Sequence, residues 1–300
     1  MGDVVEYLIN LLVIGVTAGM VYGLMALGMA LIYRGLDILH FAHGEMVVFG
    51  AFFGYNFFVD VNLPFWLALI LSMFATAIMG IFIERVFYRR LTLGGGGYTV
   101  AGMGMAICGF GMSVILKNLA YLIWNPTPRP LPVDFGAPVI IEGIYLPISY
   151  FWIIGFGILV MLVLNLFLTR TKYGIATRAV AHNKDISFLV GINVPFMISL
   201  IFGLAAGLAA AGGVLVAPMH FIEIEMGLVI LLKGFAASVV GGFGSLPGAI
   251  FGGLIVGIFE SLGSGYLDGN LKDVYAFVLM IVVLYFRPNG LFGYEVEMKA

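Results

Sequence analysis

Long apolar runs separated by short polar stretches organise the whole chain, and the runs have lengths a bilayer would set. A helix needs about 20 mostly apolar residues to cross roughly 30 Å of hydrocarbon. Leu8 to Ile32 meets that requirement and predicts a first helix. The semi-polar break Tyr33 to Glu45 leads into a second helix ending near Phe58, and Pro64 to Ile83 forms a third. Glu84 to Gly97 is polar and closes in four glycines, after which Tyr98 to Trp124 is a fourth helix interrupted by glycines 102, 104, 109 and 111. Asn125 to Pro147 holds six prolines and reads as an extended loop outside the hydrocarbon. Ile148 to Leu168 and Phe196 to Ala217 are the fifth and sixth helices, with the longest charged segment between them. Spans over 227–242, 247–265 and 273–286 complete the pattern, the last of them short.

Composition turns this pattern into a class. Apolar residues make up 62% of the 300 and charged ones only 10%, and mean hydropathy is +1.11. A soluble domain carries roughly 25% charge, so this chain has too few polar side chains to cover a water-facing globule. The reading is all-α: a polytopic membrane helical bundle of about 8–10 spans with broken helices, forming a single transmembrane domain over residues 1–300. A net charge of −2 and the lack of any Lys/Arg run argue against a nucleic-acid partner and leave lipid as the main surroundings. The lone Cys108 can form neither an intrachain disulfide nor a zinc cluster, and it reads as a small buried hydrophobe. The start MGDVVEYL is acidic, and the run behind it is too long for a signal-peptide core. It reads as a retained first helix.

Orientation follows from the cations. Arg85, Arg89 and Arg90 share one loop, Arg170, Lys172, Arg178 and Lys184 another, and Arg287 and Lys299 the tail. The Pro-rich loop has only Arg129, and the 218–226 loop has Glu223 and Glu225 without a cation. The positive-inside rule then places the three basic segments in the cytoplasm, which agrees with nine spans, an external N-terminus and an internal C-terminus. Gly35-Leu-Asp-Ile-Leu after the first span and Gly227-Leu-Val-Ile-Leu after the sixth hint at duplication. An offset of five spans would make the halves inverted, an architecture carriers use to alternate access around a midplane site.

Glycines four apart recur at Gly15/Gly19/Gly23, Gly50/Gly54, Gly203/Gly207, Gly248/Gly252 and Gly253/Gly257. In lipid, small residues at this spacing let helix backbones approach closely, so packing is their first reading.

Four features are candidates for function. In HFAHGEM, His43, Gly44 and Glu45 stand at a helix start. No H-E-x-x-H or second acidic cluster completes a metal or protease site, so no metal is expected. Two readings stand for Glu45: a charge favoured by a helix N-terminus, or part of a permeation path, since titratable groups at membrane depth are costly without a role. Lys233 and Glu260 are isolated charges 12 residues before and 15 after Ser245, so an antiparallel hairpin brings them to similar depth and predicts a pair. Between them GGFGSLPG, with Gly241, Gly242, Gly244, Ser245 and Gly248, is either a bend beside an aqueous cavity or a tight cytoplasmic hairpin. Thr171 to Asn193 has helical spacing with Ala176, Ala179 and Val180 on one side. Its small residues suit docking to a soluble partner better than resting on lipid.

No G-x-x-x-x-G-K-[ST] loop exists anywhere, so energy must come from an ion gradient or from another subunit. FAHGEM (41–46), the run from Tyr173 to the GIN at 191–193, LLKGFAASVVGGFGSLPGAIFGG (231–253) and RPNGLFG (287–293) together resemble the LivH-type permeases of branched-chain amino-acid ABC importers, over essentially the whole chain. The resemblance implies a non-enzymatic translocation subunit in a bacterial inner membrane. It implies a second, LivM-type permease, two cytoplasmic ATPases that hold the ATP and Mg, and a periplasmic binding protein. No cofactor is then bound by this chain. It makes 169–193 the cytoplasmic coupling region, with Tyr173, Gly174, Arg178, Ala179, Asn183 and Gly191 facing the ATPase. His43, Gly44, Glu45, Lys233, Glu260 and the 241–248 break would lie beside the path. Leu39-His40 stands where the family pattern has Ile-Asn, and the glycine run at 94–97 departs from it. Related permeases also move urea, short amides or aromatic acids; a gradient-driven carrier is the alternative from a different class.

Overall fold

The computed structural model describes residues 2–93, 98–141 and 144–293; the four-glycine run and Lys299 lie outside the described residues. Helices follow one another almost without interruption. They are α1 Gly2–Leu36, α2 His43–Tyr55, α3 Phe65–Ile83, α4 Arg89–Leu93, α5 Tyr98–Trp124, α6 Ile148–Arg170, α7 Lys172–His182, α8 Lys184–Leu189, α9 Val194–Val216, α10 Met226–Gly241, α11 Leu246–Tyr266 and α12 Lys272–Phe286. The strands β1 Val139–Ile141 and β2 Ile144–Leu146 pair antiparallel inside the Pro-rich segment. Helix ends have local causes: Asp37, Asn62 and Asn125 take left-handed φ near 60°, a conformation Asp and Asn tolerate where a helix must stop.

Seven helical stretches among the described residues are long and apolar enough to cross a membrane. One of the nine expected segments is shorter: α10, at 16 residues, reaches only about 24 Å at 1.5 Å per residue, less than the hydrocarbon thickness, whereas α2 runs on without a break into the π-helical turn Asn56–Asp60. α1, at 35 residues, extends roughly 52 Å and more than spans it. The two glycine-led pentapeptides are not equivalent, because Gly35 ends α1 whereas Gly227 opens the body of α10. In so apolar a chain a five-residue match arises by composition alone.

Contacts divide the chain into two compact units, and α1, α6 and α10 each contribute to both. The first comprises Met1–Ala30, Val133–Ile158 and Leu232–Ala300. Its packing rests on glycine: a Cβ built on Gly15 would lie 2.8 Å from the Ile258 backbone, and one on Gly19 would lie 2.8 Å from that of Leu254. Gly257 and Gly253 face α1 in return, so α1 and α11 cross backbone to backbone.

The second unit comprises Leu31–Pro132 and Leu159–Leu231, and α2, α3 and α9 form its centre. Gly50 lies against Ala210, Gly54 against Val214 and Gly80 against Phe202, which allows three helices to share one dry interface. Basic residues gather at one end of this unit. Arg89 donates to the Pro195 carbonyl (3.1 Å) at the start of α9, and Lys184 pairs with Asp37 (3.4 Å). At the opposite ends of α5 and α9, a backbone bridge joins Arg129 to Ile222, and the Arg129 guanidinium lies 5.3 Å from the Tyr55 ring. Both segments read as external from charge therefore meet at one end.

Candidate functional site

In the second unit, α2 starts inside the bundle. His43, Gly44, Glu45 and Met46 are all buried, and Ala42 at the N-cap position has no side chain able to accept from the first turn. The helix starts here because residues 37–42 turn back after α1, with the His43 N–H bonded to the His40 carbonyl (3.0 Å). Glu45 is 4% exposed; its Oε1 accepts a hydrogen bond from Ser113 Oγ (3.1 Å), and its Oε2 has no donor. Gly44 touches the first turn of α10, where a Cβ would lie 2.6 Å from the Gly227 carbonyl oxygen. Two helix N-termini thus meet beside a buried carboxylate.

Three polar clusters lie in the same unit. His40 Nδ1 and Tyr88 Oη are hydrogen-bonded at 2.7 Å, and both side chains are buried, so His40 has a polar role in place of the expected Asn. Tyr88 closes a π-helical turn, Glu84–Tyr88, a wider turn often found at functional positions. In that turn the buried Glu84 accepts from Arg89 (Nη2, 3.1 Å) and from Ser199 Oγ. This links the second turn of α9 to the C-terminal end of α3. Toward the acidic end, Glu225 Oε2 pairs with Lys117 Nζ (2.7 Å) and its Oε1 accepts from Tyr121 (2.6 Å). The Lys117 ammonium and the Tyr121 hydroxyl together hold the Glu225 carboxyl below its ordinary range.

In the first unit, Lys233 and Glu260 are paired, Nζ to Oε1, at 2.9 Å, with side chains 6% and 1% exposed. The structure adds partners that spacing did not suggest. Tyr22 donates to Glu260 Oε1 (3.2 Å), Lys272 reaches the same oxygen (3.4 Å), and Asp273 Oδ1 pairs with Lys233 (2.7 Å). Two cations and two anions sum to zero, which is how charge survives in a low-dielectric interior. Lys272 and Asp273 stand just ahead of the last apolar run, so a charged dipeptide at a helix entrance was the available signal. Tyr22 offered none.

GGFGSLPG folds as a tight turn. Gly242 and Gly244 have φ of 104° and 84°, the left-handed region glycine enters freely. Ser245 caps α11 by accepting from the Gly248 N–H (3.1 Å). The tail closes over the turn, with Leu291 and Phe292 N–H groups donating to the Val240 and Gly241 carbonyls at 2.9 Å each. Gly241, Gly242, Gly244, Ser245 and Gly248 are therefore brought together, and the RPNGLFG tail is their partner.

Thr171, Asn183 and Asn193 punctuate the basic segment, each side chain accepting from the backbone N–H three residues on. Gly174 packs onto the end of α6, where any Cβ would meet the Leu168 backbone. The covered face of α7 is Gly174, Thr177 and Val180, whereas Ala176 and Ala179 are only half-buried. The small-residue side expected to face a partner is thus partly turned inward. Tyr173, Arg178 and Asn183 are exposed, as is Gly191 at φ 85°. Beside them α8 and the Val190 that follows it expose Ile186, Phe188, Leu189 and Val190, the last three at 70, 81 and 69%. Six residues are too few for periodicity to reveal such a face.

A profile of the family described as "Branched-chain amino acid transport system / permease component" matches residues 11–284. The chain is 34% identical to the high-affinity branched-chain amino acid transport system permease protein BraD of Pseudomonas aeruginosa, over 98% of each chain. It is 33% identical to the permease protein LivH of Escherichia coli, over 93% of each. Among solved structures, PsaBC from Streptococcus pneumoniae in complex with Fab is similar in fold, with a TM-score of 0.51 at 15% identity, covering 94% of this chain and 92% of that one.

Proposed function

Because the chain belongs to the permease-component family of branched-chain amino acid transport systems, we propose that this multi-pass membrane permease moves branched-chain amino acids inward, driven by separate ATPase subunits. The observation that carries the reading is the exposed, capped helix pair α7–α8 at the basic end of the second unit. An apolar strip of Ile186 and Phe188 to Val190 beside Tyr173, Arg178 and Asn183 suits insertion into a groove on a soluble protein. A positive-inside orientation puts that strip in the cytoplasm, and no nucleotide-binding loop exists in this chain to supply the energy itself. A second permease, two ATPases holding ATP and Mg, and an external binding protein complete the assembly.

In this reading the solute passes the buried start of α2 at His43, Gly44 and Glu45. Lys233, Glu260 and the 241–248 turn keep the first unit neutral and hinged at membrane depth. Arg89, Glu84 and Ser199 tie the entry of α9, directly after the coupling helices, to the π-turn whose Tyr88 holds His40. Motion of α7–α8 can thus reach α2 through bonded groups. The test is co-purification with the ATPase subunits and reconstituted leucine uptake. Phe188→Asp with Leu189→Asp is expected to abolish both, while the membrane-inserted, folded permease persists. Unchanged ATPase recruitment, or leucine uptake by the permease alone without any ATPase, would overturn the proposal.

A further inference from the structure

We infer that the start of α2 is a binding site for the zwitterionic head of an α-amino acid: Glu45 takes the ammonium, and the uncapped first turn of α2 takes the carboxylate. The inference rests on the function proposed above and assigns it a specific contact.

Depth comes first. Glu45 is bonded to Ser113, which lies 11 residues before the end of α5, or roughly 16 Å along a helix of about 40 Å. The carboxylate therefore sits near the middle of a spanning helix, where an unmatched polar group is expensive. Glu45 is nonetheless incompletely matched. Ser113 serves Oε1, Oε2 has no donor, and the residue is 4% exposed. Among the described residues no ion pair reaches it, the nearby Lys117 being held by Glu225 at 2.7 Å.

The backbone offers the opposite charge. The first turn of any helix presents N–H groups without intrahelical acceptors, and a Ser, Thr, Asp or Asn cap usually satisfies one of them. α2 has Ala42 in that position and no side-chain cap, yet its first four residues are buried. α3 and α12 also start without a side-chain cap; what sets α2 apart is that its first turn carries a buried carboxylate, Glu45, whose Oε2 has no donor. The start of α10 adjoins it through Gly44 and Gly227, and two converging N-termini add their positive ends. Such half-helix starts hold carboxylates in carriers with discontinuous helices.

These features select the class of solute. A bare anion meets the Glu45 charge, and a bare cation meets the helix ends. A molecule with ammonium and carboxylate on adjacent atoms satisfies both while adding no net charge to the bilayer interior. The Ser113 hydroxyl donates to Oε1, so its lone pairs remain able to accept a second ammonium hydrogen. Selection here acts on the head group and is indifferent to the side chain.

The test uses the full chain in lipid nanodiscs, with thermal stabilisation read against L-leucine, 4-methylpentanoate (no ammonium), 3-methylbutylamine (no carboxylate) and sodium chloride. Wild type is expected to respond to leucine at concentrations at least about tenfold lower than to either analogue, with no response to sodium at matched ionic strength. Glu45→Gln should weaken the leucine response about tenfold or more and make leucine and 4-methylpentanoate equivalent, a loss of discrimination that simple destabilisation does not produce. Ser113→Ala, which keeps the carboxylate, should weaken leucine severalfold and preserve the ranking, and it serves should Glu45→Gln not fold. Equal responses of wild type to leucine and its analogues, a response to sodium alone, or unchanged discrimination in Glu45→Gln would overturn the inference. Leucine uptake by the wild-type assembly with its ATPases and binding protein separates the two levels: uptake without discrimination at Glu45 removes only this site, and no uptake of leucine removes the proposed function.

Discussion

Removing both members of the buried Lys233–Glu260 pair should harm the protein far less than the two single removals added together. At 2.9 Å and an effective permittivity near 20, their attraction is about 6 kcal/mol before desolvation. Desolvation cancels much of it, whereas breaking such a pair from one side typically costs about 3–5 kcal/mol. The surrounding network predicts an asymmetry. After Glu260→Leu, Lys233 retains Asp273 at 2.7 Å, but after Lys233→Met, Glu260 retains only Lys272 at 3.4 Å and the Tyr22 hydroxyl at 3.2 Å. We expect losses of about 3 kcal/mol for Lys233→Met, about 2 for Glu260→Leu, and no more than about 2 for the double variant, whose remaining Lys272 and Asp273 side chains are 42 and 63% exposed. The coupling is then roughly 3 kcal/mol. SDS titration of the purified chain in mixed micelles, followed by far-UV circular dichroism, gives the four free energies. A double-variant loss equal to the sum of the singles within about 0.5 kcal/mol would refute the reasoning.

Gly15→Val places a methyl-bearing carbon against the Ile258 backbone and should cost about 1–3 kcal/mol by overpacking, measured in the same titration, while Gly155→Ala, with open space around its Cα, should cost far less. Tyr88→Phe leaves the buried His40 Nδ1 without its 2.7 Å partner and should destabilise by about 1–2 kcal/mol, read as a lower melting temperature. The Glu225 carboxyl, held below its ordinary range by Lys117 and Tyr121, contributes stability that is complete above the unfolded-state value. That contribution is lost as pH falls through the lower folded-state value. Glu225→Gln should therefore lower the melting temperature slightly at neutral pH, flatten the acid limb, and converge with wild type once the Glu225 carboxyl is protonated in both states.

Class and most segment positions were legible in the chain because they depend on a one-dimensional quantity, run length against bilayer thickness. The Lys233–Glu260 pair was legible too, since two charges 12 residues before and 15 after Ser245 in a glycine turn return to similar depth. The glycine spacing announced close backbone crossings, and it left open which helix each glycine would meet. Tertiary structure alone decided that α10 is too short to span and that α2 and α10 begin against one another at Gly44 and Gly227. A hydropathy window averages through such breaks. It also decided that Ser113, from a helix more than 60 residues away in the chain, holds Glu45 (|i−j| = 68), and that Lys272, Asp273 and Tyr22 join the buried pair. These partners are set by the azimuth at which each helix docks. In a chain apolar on nearly every face, no polar stripe records that angle, so only the packing of glycine against backbone determines it.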